Sequence, residues 1–335
     1  MYRRLTLCFT VIAVATSLRA QAPNPNRAGL QPGTLPARWV PSGPKCMEVP
    51  DWQVHEYNSD FLIVRQSGCL DYEKPFLYLI FGQDRALLYD TGSDNFPAAD
   101  MVRNVVGKWL KRNRRSQIPL IVVHSHDHSD HIFGDAQLQK MQDPAIPITF
   151  VPAEVEATKK FYGIKNWPDE IVSLDLGGRL LDVIPIPGHN VVSVALFDRR
   201  TGVLLSGDSF YPGRIYVADF LAFVKSTDRL VKFTEGKMVA HILGCHIEQT
   251  ETPYLDYPMG TIYQPHERAL ELSRGDLLDL KEGLASLHGK AAKLALPDVT
   301  VWPVPSPAAD HVMDKFHALL KEQTEQMWDQ LKGKQ

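Results

Sequence analysis

The chain has 335 residues, of which 44% are hydrophobic, 9% aromatic and 22% charged. That is enough apolar material for a large buried core, which excludes a disordered or low-complexity protein. A net charge of −3 gives no reason to expect nucleic acid, and the one basic run, Lys111 to Arg115, fits a helix end or a solvated face.

Met1-Tyr2-Arg3-Arg4 is basic, Leu5 to Val14 is apolar, and Ala20-Gln21-Ala22 is an A-x-A site. This order predicts a secretory signal peptide over residues 1–22, with an apolar stretch too short to span a membrane. Removing it takes away Arg3, Arg4 and Arg19, moving the net charge from −3 to about −6. The expected location is therefore periplasmic or secreted, where disulfides persist. Cys46 and Cys69 bracket one segment and are expected to pair, leaving Cys245 free; three reduced thiols are the alternative.

Residues 23–50, rich in Pro, Asn and Gly, read as an extended leader. Gln53–Tyr57, Phe61–Arg65, Phe76–Phe81 and Ala86–Tyr89 then read as short strands separated by turn residues. Met101, Val102, Val105, Val106, Trp109 and Leu110 recur with a 3.6-residue period and predict a helix over Ala98–Arg112. Pro119–Val123 is the next strand. A second pass follows, with a helix over Pro152–Phe161 and strands over Leu180–Ile186, Val191–Phe197, Val203–Ser206 and Met238–Leu243. Pro265–His288 and Ala308–Leu331 read as long amphipathic helices. Two β-rich halves with flanking helices predict an α/β (α+β) protein with two stacked sheets covered by helices. The expected divisions are the signal peptide (1–22), the leader (23–50), one domain (51–264) and a helical extension packed on it (265–335).

Four of the 12 histidines fall in His-Ser-His-Asp-His-Ser-Asp-His, residues 124–131, directly after a buried strand. A solvated His-rich loop is the bland reading, but a loop leaving a rigid strand is a common place for function. His126 and His128 are two apart and point the same way in an extended loop; Asp130 and His131 lie where the chain turns into a helix. Imidazole is the commonest protein metal ligand. Three later strands end in the same way: Pro187-Gly188-His189, Ser206-Gly207-Asp208 and Gly244-Cys245-His246. Each alone is an ordinary turn, but together they are specific.

At these residues the sequence resembles the metallo-β-lactamase superfamily, over roughly residues 52–250. The resemblance implies an αββα four-layer sandwich. It implies one metal held by His126, His128 and His189, a second by Asp130, His131 and His246, and Asp208 bridging them. Asp90, in Asp90-Thr91-Gly92, would orient ligands rather than coordinate. Ser125 stands where the family more often has Thr. Cys245 is not expected to coordinate, because the subclass with a Cys ligand places it at the position of Asp208. His124 and His241 are expected to be structural or to support the ligands from behind.

The implied cofactors are two divalent metal ions, zinc first, with manganese or iron as alternatives. A hydroxide shared between them would attack a carbonyl or phosphoryl centre, with Asp130 shuttling its proton. Tyr211, three residues after Asp208, matches a tyrosine of lactone-hydrolysing members; it reads equally as an oxyanion donor or as packing beneath the site. With no basic or Gly-rich phosphate cradle, the expected substrate is a small ester, lactone or related carbonyl compound. A β-lactamase, a phosphodiesterase, an iron-dependent oxidoreductase and a non-catalytic metal-binding module are the alternatives. Neither a nucleic-acid partner nor stable membrane insertion is expected, and the oligomeric state is open.

Overall fold

The computed structural model describes residues 29–43 and 45–304. The expected signal peptide and the expected helix over Ala308–Leu331 lie outside the described residues. Sheet one carries six strands in sequential order: β1 (Trp52–Asn58), β2 (Phe61–Gln66), β3 (Phe76–Phe81), β4 (Ala86–Tyr89), β5 (Leu120–Val123) and β6 (Ile148–Phe150). Sheet two contains β7 (Val172–Asp175), β8 (Leu180–Pro185), β9 (Val194–Asp198), β10 (Val203–Gly207), β12 (His241–Gly244) and β13 (Glu271–Leu272), in the order β13-β12-β10-β9-β8-β7. A third, small sheet joins β11 (Gly213–Val217), β15 (Val299–Pro303) and β14 (Leu294–Ala295). The helices are α1 (Ala98–Arg112), α2 (Ser129–Ile132), α3 (Asp135–Lys140), α4 (Val155–Tyr162), α5 (Phe220–Thr234) and α6 (Arg274–Ser286).

Side-chain alternation along the strands builds the layers. In β3, Phe76, Tyr78 and Ile80 enter the core between the sheets, where Leu181, Val183, Leu196, Val203 and Leu205 of sheet two meet them. Leu77, Leu79 and Phe81 face the other way, onto Met101, Val102, Val106 and Trp109 of α1. Leu204 and Ile242 of sheet two pack outward on Phe223 and Leu230 of α5 and on Leu277 and Leu280 of α6. Buried on both faces, these strands are apolar throughout, as two-sided sheets require. The result is the expected αββα order.

Three expectations need correction. Residues 265–304 are woven into the domain rather than laid on it as a helical extension. Glu271–Leu272 pairs with β12, and residues 299–303 pair with β11. The helix expected over Pro265–His288 starts only at Arg274, where Ser273 and Asp276 form a reciprocal capping box. The stretch between Val203–Ser206 and Met238–Leu243, for which the sequence pattern predicts no element, holds β11 and α5. Cys46 and Cys69 do form a disulfide, with Cα atoms 5.4 Å apart, and Cys245 is free and buried.

The strands that matter for the site run the same way. β4 and β5 are parallel, and so are β10 and β12; β8 shares their direction through two antiparallel steps across β9. Their C-terminal ends therefore open along one edge of the sandwich. At the opposite edge a buried arginine ties the sheets together. Arg179 donates to the backbone oxygens of Asp60 (2.6 Å) and Phe81 (3.0 Å) in sheet one. It also pairs with the Asp198 carboxylate of sheet two at 2.5 Å. Both side chains are at most 1% exposed. Arg179→Ala would leave a buried carboxylate without its counter-charge, and we expect it to lower the unfolding free energy by about 3–5 kcal/mol. Urea unfolding of the two proteins measures this; a loss below about 1 kcal/mol would show that Thr201 and solvent replace the guanidinium.

Candidate metal centre

The glycines directly before two of the late ligands, Asp208 and His189, have a steric reason. Gly207 has φ +54, and a Cβ there would lie 2.8 Å from the Ser125 Cβ. Gly188 has φ +146, and its Cβ would lie 2.4 Å from the Phe223 Cα. Any larger residue would push the following ligand, Asp208 or His189, off the rim.

Seven side chains converge at the common strand edge in two sets. In the first, His126 Nε2 lies 2.9 Å from His128 Nδ1, and His189 Nε2 lies 3.1 Å from each of them. In the second, His131 Nε2 and His246 Nε2 are 3.4 Å apart, and Asp130 Oδ2 is 3.1 and 3.2 Å from them. Asp208 Oδ2 stands between the sets, 3.3 Å from His246 Nε2, 3.5 Å from His131 Nε2 and 3.8 Å from His189 Nε2. The structure thus brings together His126, His128, Asp130, His131, His189, Asp208 and His246.

The protons on these rings can be assigned from their far sides. His189 Nδ1 donates to the Tyr216 carbonyl at 2.6 Å, and His246 Nδ1 to the Glu73 carbonyl at 3.0 Å. A carbonyl only accepts, so Nδ1 carries the proton and Nε2 the lone pair. The Ser125 hydroxyl donates to Asp90 Oδ2 (2.8 Å) and accepts from His126 Nδ1 (2.9 Å), with the same result for His126. His131 Nδ1 donates to Asp90 Oδ2 at 3.0 Å.

In the first set the lone pairs of His126 Nε2 and His189 Nε2 thus face each other at 3.1 Å with no proton between them, which suits a shared cation. Tetrahedral zinc with bonds of about 2.0–2.1 Å would set its ligands about 3.3–3.4 Å apart, close to the spacing in both sets. Asp208 Oδ1 is buried without a hydrogen-bond partner. These residues fit divalent metal ions, and a nitrogen and carboxylate donor set suits zinc.

The two sets differ electrostatically. Burial pushes His126 well below the usual imidazole range, reinforced by His131, His128 and His189. Burial likewise takes His189 down to about 4. Burial also opposes charge on His131 and His246, but nearby Asp130 and Asp208 outweigh it and hold both above the usual range. Burial would raise the carboxyls of Asp130 and Asp208; His131 and His246 instead keep them well below it.

Tyr211 requires a correction. Its phenol donates to the Arg214 carbonyl and sits 3.3 Å from Glu248 Oε2, while its ring centroid lies 5.4 Å from that of His246. At 3% exposure, with its proton committed to a carbonyl, it is packing beneath the site rather than an oxyanion donor. Cys245 donates its thiol to Asp90 Oδ2 at 3.3 Å, behind the ligands, and burial raises its pKa. His124 bridges Asp135 and the Val151 carbonyl, and His241 stacks edge-on against Tyr57; both are structural, as expected. Sequence reasoning missed the carbonyls of Glu73 and Tyr216. A backbone carbonyl leaves no residue signature, so only the fold reveals it.

A family model described as "Metallo-beta-lactamase superfamily" matches residues 74–287. The protein named acyl-coenzyme A thioesterase MBLAC2 from Gallus gallus is 24% identical over 201 residues, covering 51% of this chain and 71% of its own. Its Homo sapiens counterpart is 21% identical over 238 residues, covering 60% of this chain and 83% of its own. Among solved structures, a metallo-beta-lactamase from Pontibacter korlensis aligns with a TM-score of 0.47 and 16% identity, over 70% of this chain and 99% of that one.

Because the Asp208 carboxylate lies against both ligand sets, we expect Asp208→Ala to weaken the holding of every metal in the centre. His126→Ala should damage mainly the three-imidazole set. Metal analysis after dialysis against a weak chelator distinguishes them. Undiminished metal in folded Asp208→Ala would show that another group joins the sets.

Proposed function

The chain belongs to the metallo-β-lactamase superfamily and is a metal-dependent hydrolase, and on that premise we propose that it is an exported enzyme that cleaves ester, lactone or thioester bonds. The observation that carries this reading is the placement of Asp208 Oδ2 within 3.3–3.8 Å of histidine nitrogens from both sets. A carboxylate there would join two metals and fill the position facing an incoming substrate. That added negative charge disfavours a β-lactam, whose own carboxylate needs an electropositive platform. Thioesters enter because the similar animal proteins bear the name acyl-coenzyme A thioesterase. Two exposed apolar side chains, Phe133 and Val191, stand two residues beyond His131 and His189 and suit an acyl chain. Export is supported by the basic, apolar, A-x-A order of residues 1–22, and the Cys46–Cys69 disulfide is compatible with an oxidising compartment.

His126, His128 and His189 would hold one ion and Asp130, His131 and His246 another, with Asp208 shared. Zinc is the first choice. Bound there, the ions would supply Lewis acidity and draw the pKa of water toward neutrality. The remaining work belongs to the chain. Asp130 keeps part of its surface open, with a side-chain exposure of 16%, and is the reachable carboxylate for moving a proton from the attacking water toward the leaving group. Asp90, Ser125 and the two carbonyl tethers keep the imidazoles aimed and hold their tautomers, so no ring must turn during the reaction.

We expect the metal-loaded protein to hydrolyse activated esters, lactones or short acyl thioesters, and chelation to abolish the activity. A chromogenic cephalosporin should be a poor substrate. Tyr211→Phe should change kcat by less than about tenfold, under 1.4 kcal/mol, because its proton does not face the reacting atoms. Paired kinetics on these substrates decide the matter. Efficient cephalosporin turnover without ester, lactone or thioester activity would replace this reading with a β-lactamase.

A further inference from the structure

Among the described residues, strand β11 is fastened to another strand along one edge only. Its parallel pairing with β15 runs from Gly213↔Val299 to Val217↔Pro303. The Val304 amide then donates to the Val217 carbonyl at 2.9 Å. Backbone groups alternate between the two edges of a strand, so Gly213, Ile215 and Val217 face β15 while Arg214 and Tyr216 face away. The second edge meets the metal centre. The Tyr216 carbonyl takes the Nδ1 proton of His189, and the Arg214 carbonyl takes the Tyr211 phenol. The Arg214 amide donates to Glu248 Oε2 at 2.7 Å. Ile215 and Val217 anchor the strand from below in the same core cluster as Val299 and Val301 of β15. The carbonyl that fixes the His189 ring is therefore located by residues 299–303, which lie beyond the family-matched segment ending at residue 287.

We propose that strand β15 is a positioning element for the three-imidazole set: by holding β11 it sets the tether of His189, and so the grip of that set on its metal. The other set has separate tethers. His131 is held by Asp90 at the end of β4, and His246 by the Glu73 carbonyl in the loop before β3. Neither tether comes from β11 or β15, so loosening β15 acts on one set and spares the other. This inference rests on the metal reading given above.

The test uses the full chain. Thr300 is four residues before Val304, so its amide lies on the same edge, toward β11, and Thr300→Pro removes that donor. Chelator competition should then show one of two metals held about 10–100-fold more weakly and the other unchanged. Cobalt-substituted protein should change the absorption bands of one site only. A general loss of structure would not produce that selectivity. Should Thr300→Pro not fold, the wild type answers instead. In a mild urea series one metal should pass to the chelator in step with loss of hydrogen-exchange protection at the Trp302 and Val304 amides. Release of that metal while these amides stay protected overturns the proposal. So does equal weakening of both metals, or wild-type affinity in folded Thr300→Pro. A wild type that takes up no metal overturns the metal reading itself, a result distinct from these.

Discussion

The Asp90 carboxylate has no exposed surface, and four donors converge on it: the Ser125 amide (2.6 Å), the Ser125 hydroxyl (2.8 Å), His131 Nδ1 (3.0 Å) and the Cys245 thiol (3.3 Å). A buried carboxylate without partners would cost several kcal/mol, so this one is tolerated only while all its neighbours are in place. Those neighbours come from both sheets: Ser125 and His131 follow β5, and Cys245 follows β12. The requirement of one side chain thus aligns the ends of three strands. Asp90 also holds φ at +71, a conformation that aspartate tolerates better than a branched residue. Arg179 and Asp198 join the sheets at the far edge, so the sandwich is pinned by a buried charge at each end and by apolar packing between.

This arrangement decides how the ligands stay ready. His126 Nε2 and His189 Nε2, both lone pairs and 3.1 Å apart, repel when no cation lies between them. Left free, the rings would turn apart. Each of His126, His131, His189 and His246 is prevented from doing so by a hydrogen bond on its far nitrogen, to Ser125, Asp90, Tyr216 and Glu73 respectively. The repulsion is carried by a rigid scaffold, and a metal ion entering the site relieves it. Binding energy and folding energy are thereby linked: an ion that binds only the folded state stabilises it.

What the sequence disclosed follows from where the information sits. The candidate ligands are side chains at fixed offsets after apolar strands, so the convergence of His126, His128, Asp130, His131, His189, Asp208 and His246 could be read without coordinates. The α1 helix was equally plain because Met101, Val105 and Trp109 repeat on one face. Strands β11 and β15 were invisible, since each is short and its partner is distant in the chain, where local pattern carries no signal. Helix α5 left no clear helical signal because its many aromatic and β-branched residues are weak helix formers; in the fold the Asp219 side chain caps it by accepting from the Ala222 amide. The case of Tyr211 is sharper. Its offset from Asp208 suited a role in chemistry, but position does not fix where a hydroxyl points, and the carbonyl of Arg214 had already claimed its proton.

The asymmetry between the two ligand sets carries the final consequence for chemistry. In the three-imidazole set, His126 and His189 are kept from protonation chiefly by burial. Opposite it, Asp130 and Asp208 are kept ionised by His131 and His246. In the proposed reaction an ion held by His126, His128 and His189 would keep more of its positive charge than one held beside Asp130, and would be the better place for a substrate oxygen gathering negative charge. A proton in transit would be drawn the other way, toward Asp130. Separating the two along one strand edge would let charge development and proton movement proceed at once without competing for the same groups. That separation was built by strand direction: His189 ends β8 and His246 ends β12, on either side of β10 with its central Asp208.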